Sequence, residues 1–118
     1  MSREPLPARR GALNFEFEHR HSTGAPFIYI AHIGFYPDGR VGEVFLGCGR
    51  TGTDVDIAIK ESAIALSLAL QHGCTLAEIR STFLRDGNGR PEGALGTLVD
   101  LIVAEGYGTP APATEVCS

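Results

Sequence analysis

Blocks of like charge are missing from this 118-residue chain, whose formal charge is −4. Non-specific binding to nucleic acid needs clustered Lys and Arg, so nucleic acid is not expected as a partner. Arg3, Arg9 and Arg10 form the one basic cluster, which is sparse. Lysine is nearly absent: Lys60 stands alone among nine arginines. Long apolar runs are also missing. The longest, Ala63 to Leu70, is interrupted by Ser67 and falls far short of a membrane span. Residues 1–12 carry prolines and charges where the apolar stretch of a secretory signal would stand, so a cytoplasmic protein with no membrane partner is expected. The three cysteines show no C-x-x-C spacing and no histidine at finger spacing. Cys48 and Cys74 read as small buried hydrophobes and Cys117 as an exposed thiol.

The chain length allows one domain, and 43% hydrophobic residues suits an ordinary core. Residues 1–12 and 108–118 read as flexible tails around a single domain at 13–107. Residues 14–20 alternate, with Phe15, Phe17 and His19 on one face and Glu16, Glu18 and Arg20 on the other, which predicts a half-buried strand. The stretch from His21 to Pro26 has turn composition. Phe27 to Tyr36 is β-branched and aromatic and apolar on both faces, as suits a central strand covered on both sides, or covered on one side by a partner chain. Pro37-Asp38-Gly39-Arg40 predicts a hairpin turn, and Val41 to Leu46 the returning strand. These strands form an antiparallel meander most simply.

A helix is predicted from Asp54 to His72, with Thr53 as N-cap and Gly73 as its stop. It is apolar nearly all round, with a narrow polar strip through Asp56, Lys60, Ser67 and Gln71, and burial on more than one side is expected. Thr75-Leu76-Ala77-Glu78 is a capping box that opens a second helix to about Arg85. Breakers fill 86–91, and a third helix covers Leu95 to Ala104. The fold class is therefore α+β: a three-stranded antiparallel sheet packed on a long apolar helix, with two shorter C-terminal helices.

The Gly-rich turn 47–54 is the chief chemical lead. Successive amides ahead of a helix N-terminus hold anions, and Gly49, Arg50, Thr51, Gly52 and Thr53 are the candidate ligand-binding residues. Arg50 adds a guanidinium suited to phosphate or carboxylate. Thr53 stands where a phosphate-binding loop requires lysine, so that motif is not present. The plainer reading is a strand-to-helix connection that needs glycine. His19, His21 and His32 lie on or beside two pairing strands, and whether they meet depends on register; the reading favours no metal and no cofactor. Glu16, Glu18 and Glu43 read as solvated, and Asp38 and Asp86 as turn residues. No catalytic constellation emerges, so no enzyme is expected.

Gly34-Phe35-Tyr36-Pro37-Asp38-Gly39-Arg40, Glu43-Val44-Phe45-Leu46, Gly49-Arg50-Thr51-Gly52-Thr53-Asp54 and the continuation Leu66 to Ile79 together resemble the TSCPD domain. That domain occurs near the C-terminus of adenosylcobalamin-dependent ribonucleotide reductases and as small stand-alone proteins. The resemblance covers about residues 27–105. Thr51-Gly52-Thr53-Asp54 departs from the namesake pattern, having neither Cys nor Pro. The reductase's catalytic barrel has no counterpart here, so the resemblance implies a small accessory domain. A non-enzymatic interaction or regulatory protein is expected, with a small anion- or nucleotide-binding module as the alternative and an enzyme last. The spare apolar surface of the second strand and long helix predicts self-association, most simply a twofold dimer, or docking on a ribonucleotide reductase-like protein.

Overall fold

A computed structural model describes residues 2–20, 26–48 and 52–107. The expected turn at 21–25, Cys117 and the tail 108–118 lie outside the described residues. Three strands, β1 (Ala12–Arg20), β2 (Pro26–Phe35) and β3 (Val41–Gly47), form an antiparallel meander in the order β1-β2-β3. Three helices follow: α1 (Asp54–Gln71), α2 (Leu76–Thr82) and α3 (Ala94–Ala104). The α+β class and the order of elements are those expected from the sequence.

Register assigns each sheet residue a face. Phe15 pairs with Ala31 and Ala31 with Leu46, so these share one face, and Phe17, Tyr29, Ile33 and Val44 belong to it by alternation. This is the core face. Tyr29, Ile33 and Val44 are fully buried there against Leu66 and Leu70 of α1 and Leu98, Val99 and Ile102 of α3. The other face carries Glu16 and Glu18 on β1, Ile28, Ile30 and His32 on β2, and Glu43 and Phe45 on β3. Among the described residues, the helix side chains of the core cluster pack with the strand residues of the first face.

Local chemistry sets the element ends. Gly39 takes φ +94 in the hairpin turn, and Asp38 Oδ1 accepts the Arg40 N–H at 3.0 Å. At the end of α1, Gly73 has φ +102; the Cys74 N–H reaches Ala69 O and the Gly73 N–H reaches Leu70 O, which closes a Schellman motif. The Thr75–Glu78 capping box forms as read from sequence. α2 stops at Thr82, three residues before the expected Arg85. Ser81 and Thr82 hydroxyls bond to carbonyls three residues back, Phe83 turns extended, and Arg85 bridges to Pro91 across a turn held by Asp86.

The polar strip of α1 is where the structure departs most from expectation. Asp56, Ser67 and Gln71 are buried, while Val55, Ile57, Ile64 and Leu68 are exposed. The helix lies along the open edge of β3 and turns its polar side toward it. Ser67 Oγ accepts the Val44 N–H at 2.8 Å, Gln71 Nε2 donates to Gly42 O at 2.8 Å, and Asp56 Oδ1 accepts the Cys48 N–H at 3.3 Å. An edge strand presents unpaired amides and carbonyls that demand partners, and these side chains stand in for a fourth strand. Ala63, fully buried between them, lets the helix approach closely.

Residues 3–6 reach the same edge, and the chain then crosses to the β1 side, where the Gly11 carbonyl accepts the Phe35 N–H at 3.0 Å. Arg3 Nε donates to Gln71 Oε1, Tyr36 Oη donates to Glu4 O, and Leu6 packs over Gly42.

Candidate functional site

The junction of β3 and α1 is built around Asp56. Thr53 caps α1 by accepting the Asp56 N–H through Oγ1 at 3.2 Å. This sets the Asp56 side chain back over the turn, 1% exposed. Its carboxylate takes backbone N–H groups from Cys48 and Gly52 and meets Lys60 Nζ at 2.8 Å through Oδ2. The Lys60 ammonium, with help from the amides, holds the Asp56 carboxyl below its ordinary range despite the opposing cost of burial. Gly52 sits at φ +86, where a side chain would be strained. The amides of Cys48 and Gly52 thus converge on a carboxylate supplied by the protein. Gly49, Arg50 and Thr51 lie outside the described residues.

A groove of about 450 Å³ opens beside this junction, between the outer face of the sheet and α1. Ile30, His32 and Phe45 form one wall, Lys60 and Ile64 the other, with Asp56 at its base. The apolar surface extends beyond the groove. Ile28, Ile30 and Phe45 on the sheet and Ile57, Ile64 and Leu68 on the helix are each 42–53% exposed. The three helix positions follow a seven- and four-residue spacing, so they share the side of α1 that carries Lys60.

Register separates the histidines. His19 is on the core face, 3% exposed, with Nδ1 2.8 Å from Thr97 Oγ1 and Nε2 3.1 Å from the Glu92 carbonyl. A carbonyl only accepts, so Nε2 carries a proton and donates to it. His32 is on the outer face, with Nδ1 2.8 Å from Asn14 Oδ1 and Nε2 3.5 Å from Glu43 Oε2. His21 lies outside the described residues. Among the described residues no three of His, Cys, Asp and Glu come together at a metal-binding distance.

Glu43, expected to be solvated, is 6% exposed. Arg10 holds it in a fork, Nε to Oε2 at 2.7 Å and Nη2 to Oε1 at 3.1 Å. Room for it exists only because residue 34 is glycine: a Cβ there would stand 2.2 Å from Glu43 Oε2. Arg10 is distant in sequence and on no periodic element, so the pairing left no local signal. Asp100 is likewise forked, by Arg85 at 2.8 and 2.9 Å and by Arg80 at 2.8 Å. The Arg85 guanidinium, seconded by Arg80, pulls the Asp100 carboxyl down to about 2. Cys48 is half-buried, near Asp56, and Cys74 is exposed, not buried as expected, because it follows the Gly73 stop at the helix end.

The fold and site define a small α+β module whose β3 edge is sealed by a helix and whose outer face is apolar and open. The chain is similar to vitamin B12-dependent ribonucleotide reductases. It is 35% identical over 81 residues to the one from Rhodopirellula baltica and 33% identical over 81 residues to that from Agrobacterium fabrum. The reductase from Bradyrhizobium diazoefficiens is 35% identical over the same length. Each alignment takes in 69% of this chain but only 6–7% of the reductase. The resemblance therefore concerns one short segment of those enzymes. No family model matches the chain, and no solved structure does. Among the described residues, no helix is long and apolar enough to cross a membrane.

Proposed function

We propose that this chain is a TSCPD-like accessory module that acts by contact, a non-enzymatic interaction and regulatory protein of the cytoplasm whose partner is a ribonucleotide reductase-like protein. One observation carries the reading: the open row of Ile28, Ile30, Phe45, Ile57, Ile64 and Leu68. A contiguous apolar patch of this kind on a small domain marks a protein contact. The similarity to a short reductase segment supplies the kind of partner. The pairing of Glu43, Asp56 and Asp100 with cations supports a structural use of these carboxylates.

The test is biolayer interferometry of the purified chain against the full-length reductase of Agrobacterium fabrum. Saturable binding, weakened in Ile64→Asp, is expected. No binding up to about 100 μM, a free energy near 5.5 kcal/mol, overturns the reading. The anion-binding reading of Gly49 to Thr53 stands second, because Asp56 already takes two amides of that turn. A thermal shift with ATP that disappears in Arg50→Ala would promote it.

A further inference from the structure

We propose that the outer face of the sheet, with the α1 ridge beside it, seats a second copy of this chain about a twofold axis parallel to the strands. The inference rests on the interaction reading above: in the free protein a second copy covers the face, and a reductase-like partner takes it by displacing that copy. Three features of the face select this occupant and this axis.

The first is area. The six exposed apolar side chains present on the order of 500 Å² of apolar surface, against about 800 Å² of total surface that a stable interface covers on each partner. The polar side chains around them supply the remainder as a rim, the anatomy of an ordinary interface.

The second is shape. α1 is bound to the edge of β3, so it stands beside the sheet as a ridge and forms one wall of the groove. Among the described residues, the helix packed on β1 is α3, on the core face, so the outer side of β1 carries no such ridge. The face is a step, low over β1 and β2 and high over α1. Rotation about an axis along the strands sets the ridge of each copy over the low side of the other. Rotation about an axis across the strands sets ridge on ridge and leaves the low sides apart.

The third is charge. Glu16 and Glu18 are exposed on the outer face of β1, and neither has an ion-pair partner among the described residues. Lys60, the chain's single lysine, stands on the opposite rim; it meets its own Asp56 at 2.8 Å, yet its side chain is 49% exposed, so part of the ammonium still faces outward. The axis along the strands brings the glutamates of one copy over Lys60 of the other, and the ridge row of Ile57, Ile64 and Leu68 over Ile28 and Ile30. The axis across the strands places the glutamates against themselves, a like-charge contact that disfavours that pairing.

A carbodiimide, which joins amine to carboxylate with no spacer, tests the geometry on an equimolar mixture of ¹⁴N and ¹⁵N full-length chain. Within one copy, Glu16 and Glu18 lie two strand spacings and a helix radius or more from Lys60, roughly 15–20 Å, beyond the reach of such a bond. The expected product is a mixed-isotope peptide pair joining Lys60 to Glu16 or Glu18. Lys60 meets Asp56 of its own copy at 2.8 Å and can join to it whatever the assembly, so the result that overturns the inference is the absence of any mixed-isotope pair joining Lys60 to Glu16 or Glu18.

Sedimentation equilibrium supplies the second readout. The wild type is expected at twice 12.5 kDa. Ile30→Asp and, separately, the double variant Glu16→Lys/Glu18→Lys are each expected to weaken the dimer at least about tenfold. The double variant moves the formal charge from −4 to about zero, which by itself favours association, so weakening isolates the contact with Lys60. A dimer indifferent to the double variant overturns the twofold proposed. A wild type that remains monomeric but binds the reductase sinks this inference alone; one that does neither sinks the interaction reading with it.

Discussion

Replacing Ser67 by Ala tests how α1 holds the sheet. The Ser67 hydroxyl sits 2.8 Å from Val44 N and 3.0 Å from Val44 O, and both residues are buried. A hydroxyl has one proton, so it accepts from the Val44 N–H while donating either to Val44 O or to Ala63 O at 2.9 Å. Alanine leaves the Val44 amide without a partner and without access to water. A stranded buried donor costs about 1–3 kcal/mol. A domain of this size has only about 5–15 kcal/mol in total. Each kcal/mol lowers Tm by about 4–8 °C, so a fall of roughly 5–20 °C is expected. Urea denaturation followed by far-UV circular dichroism should show a lower midpoint with an unchanged slope. Ser62 provides the control. It is exposed on the same helix and donates to Ala58 O at 2.8 Å, within its own helix. Ser62→Ala should change stability by no more than about 0.5 kcal/mol, since alanine is the better helix former. Equal effects of the two substitutions would refute the claim that Ser67 serves the sheet edge.

Three further outcomes follow from the buried ion pairs and the close approach at Gly34. Asp100 titrates at about 2 against an ordinary 3.8, so its stabilising contribution is complete above pH 3.8 and is lost as pH falls through 2. Because the pair meets solvent, that displacement is worth roughly 1 kcal/mol; Asp100→Asn should cost that much in urea at pH 7 and only a small fraction of it at pH 2. Gly34→Ala should destabilise by about 1–3 kcal/mol through overpacking against Glu43, whereas Gly11→Ala, with open space around it, should be near neutral in the same thermal melt. Asp56→Ala should lower Tm and speed amide exchange at Cys48 and Gly52, read by hydrogen-exchange mass spectrometry; unchanged exchange there would mean that Asp56 does not hold the turn.

Local signals in the sequence carried most of the fold. Alternation at 14–20, the Asp-Gly turn at 38–39, the Thr53 cap and the Thr75–Glu78 box each involve residues within a few positions of one another. Such chemistry is readable without tertiary knowledge. The spare apolar surface was legible too, since β2 is apolar on both faces and α1 nearly all round. Its location was not. A narrow polar strip on an apolar helix reads as the wet side, and here Asp56, Ser67 and Gln71 are the dry side because β3 needs hydrogen-bond partners on its open edge. The spacing of 56, 60, 67 and 71 held that signal, but only the strand order says which edge lies open. The burial of Glu43 has no local signal for a related reason. Its partner Arg10 is 33 residues away, and Gly34, which makes room for it, lies on a neighbouring strand. Long-range pairs of this kind leave no periodicity.

On the reading proposed, protein covers the open apolar face. Native mass spectrometry of the full chain, sprayed from ammonium acetate with its cysteines reduced, is the test. The predicted result is a dimer of the bare 12.5 kDa chain, reduced to monomer in Ile30→Asp. A monomer carrying an adduct of nucleotide mass would contradict it and move the function to the turn that precedes α1.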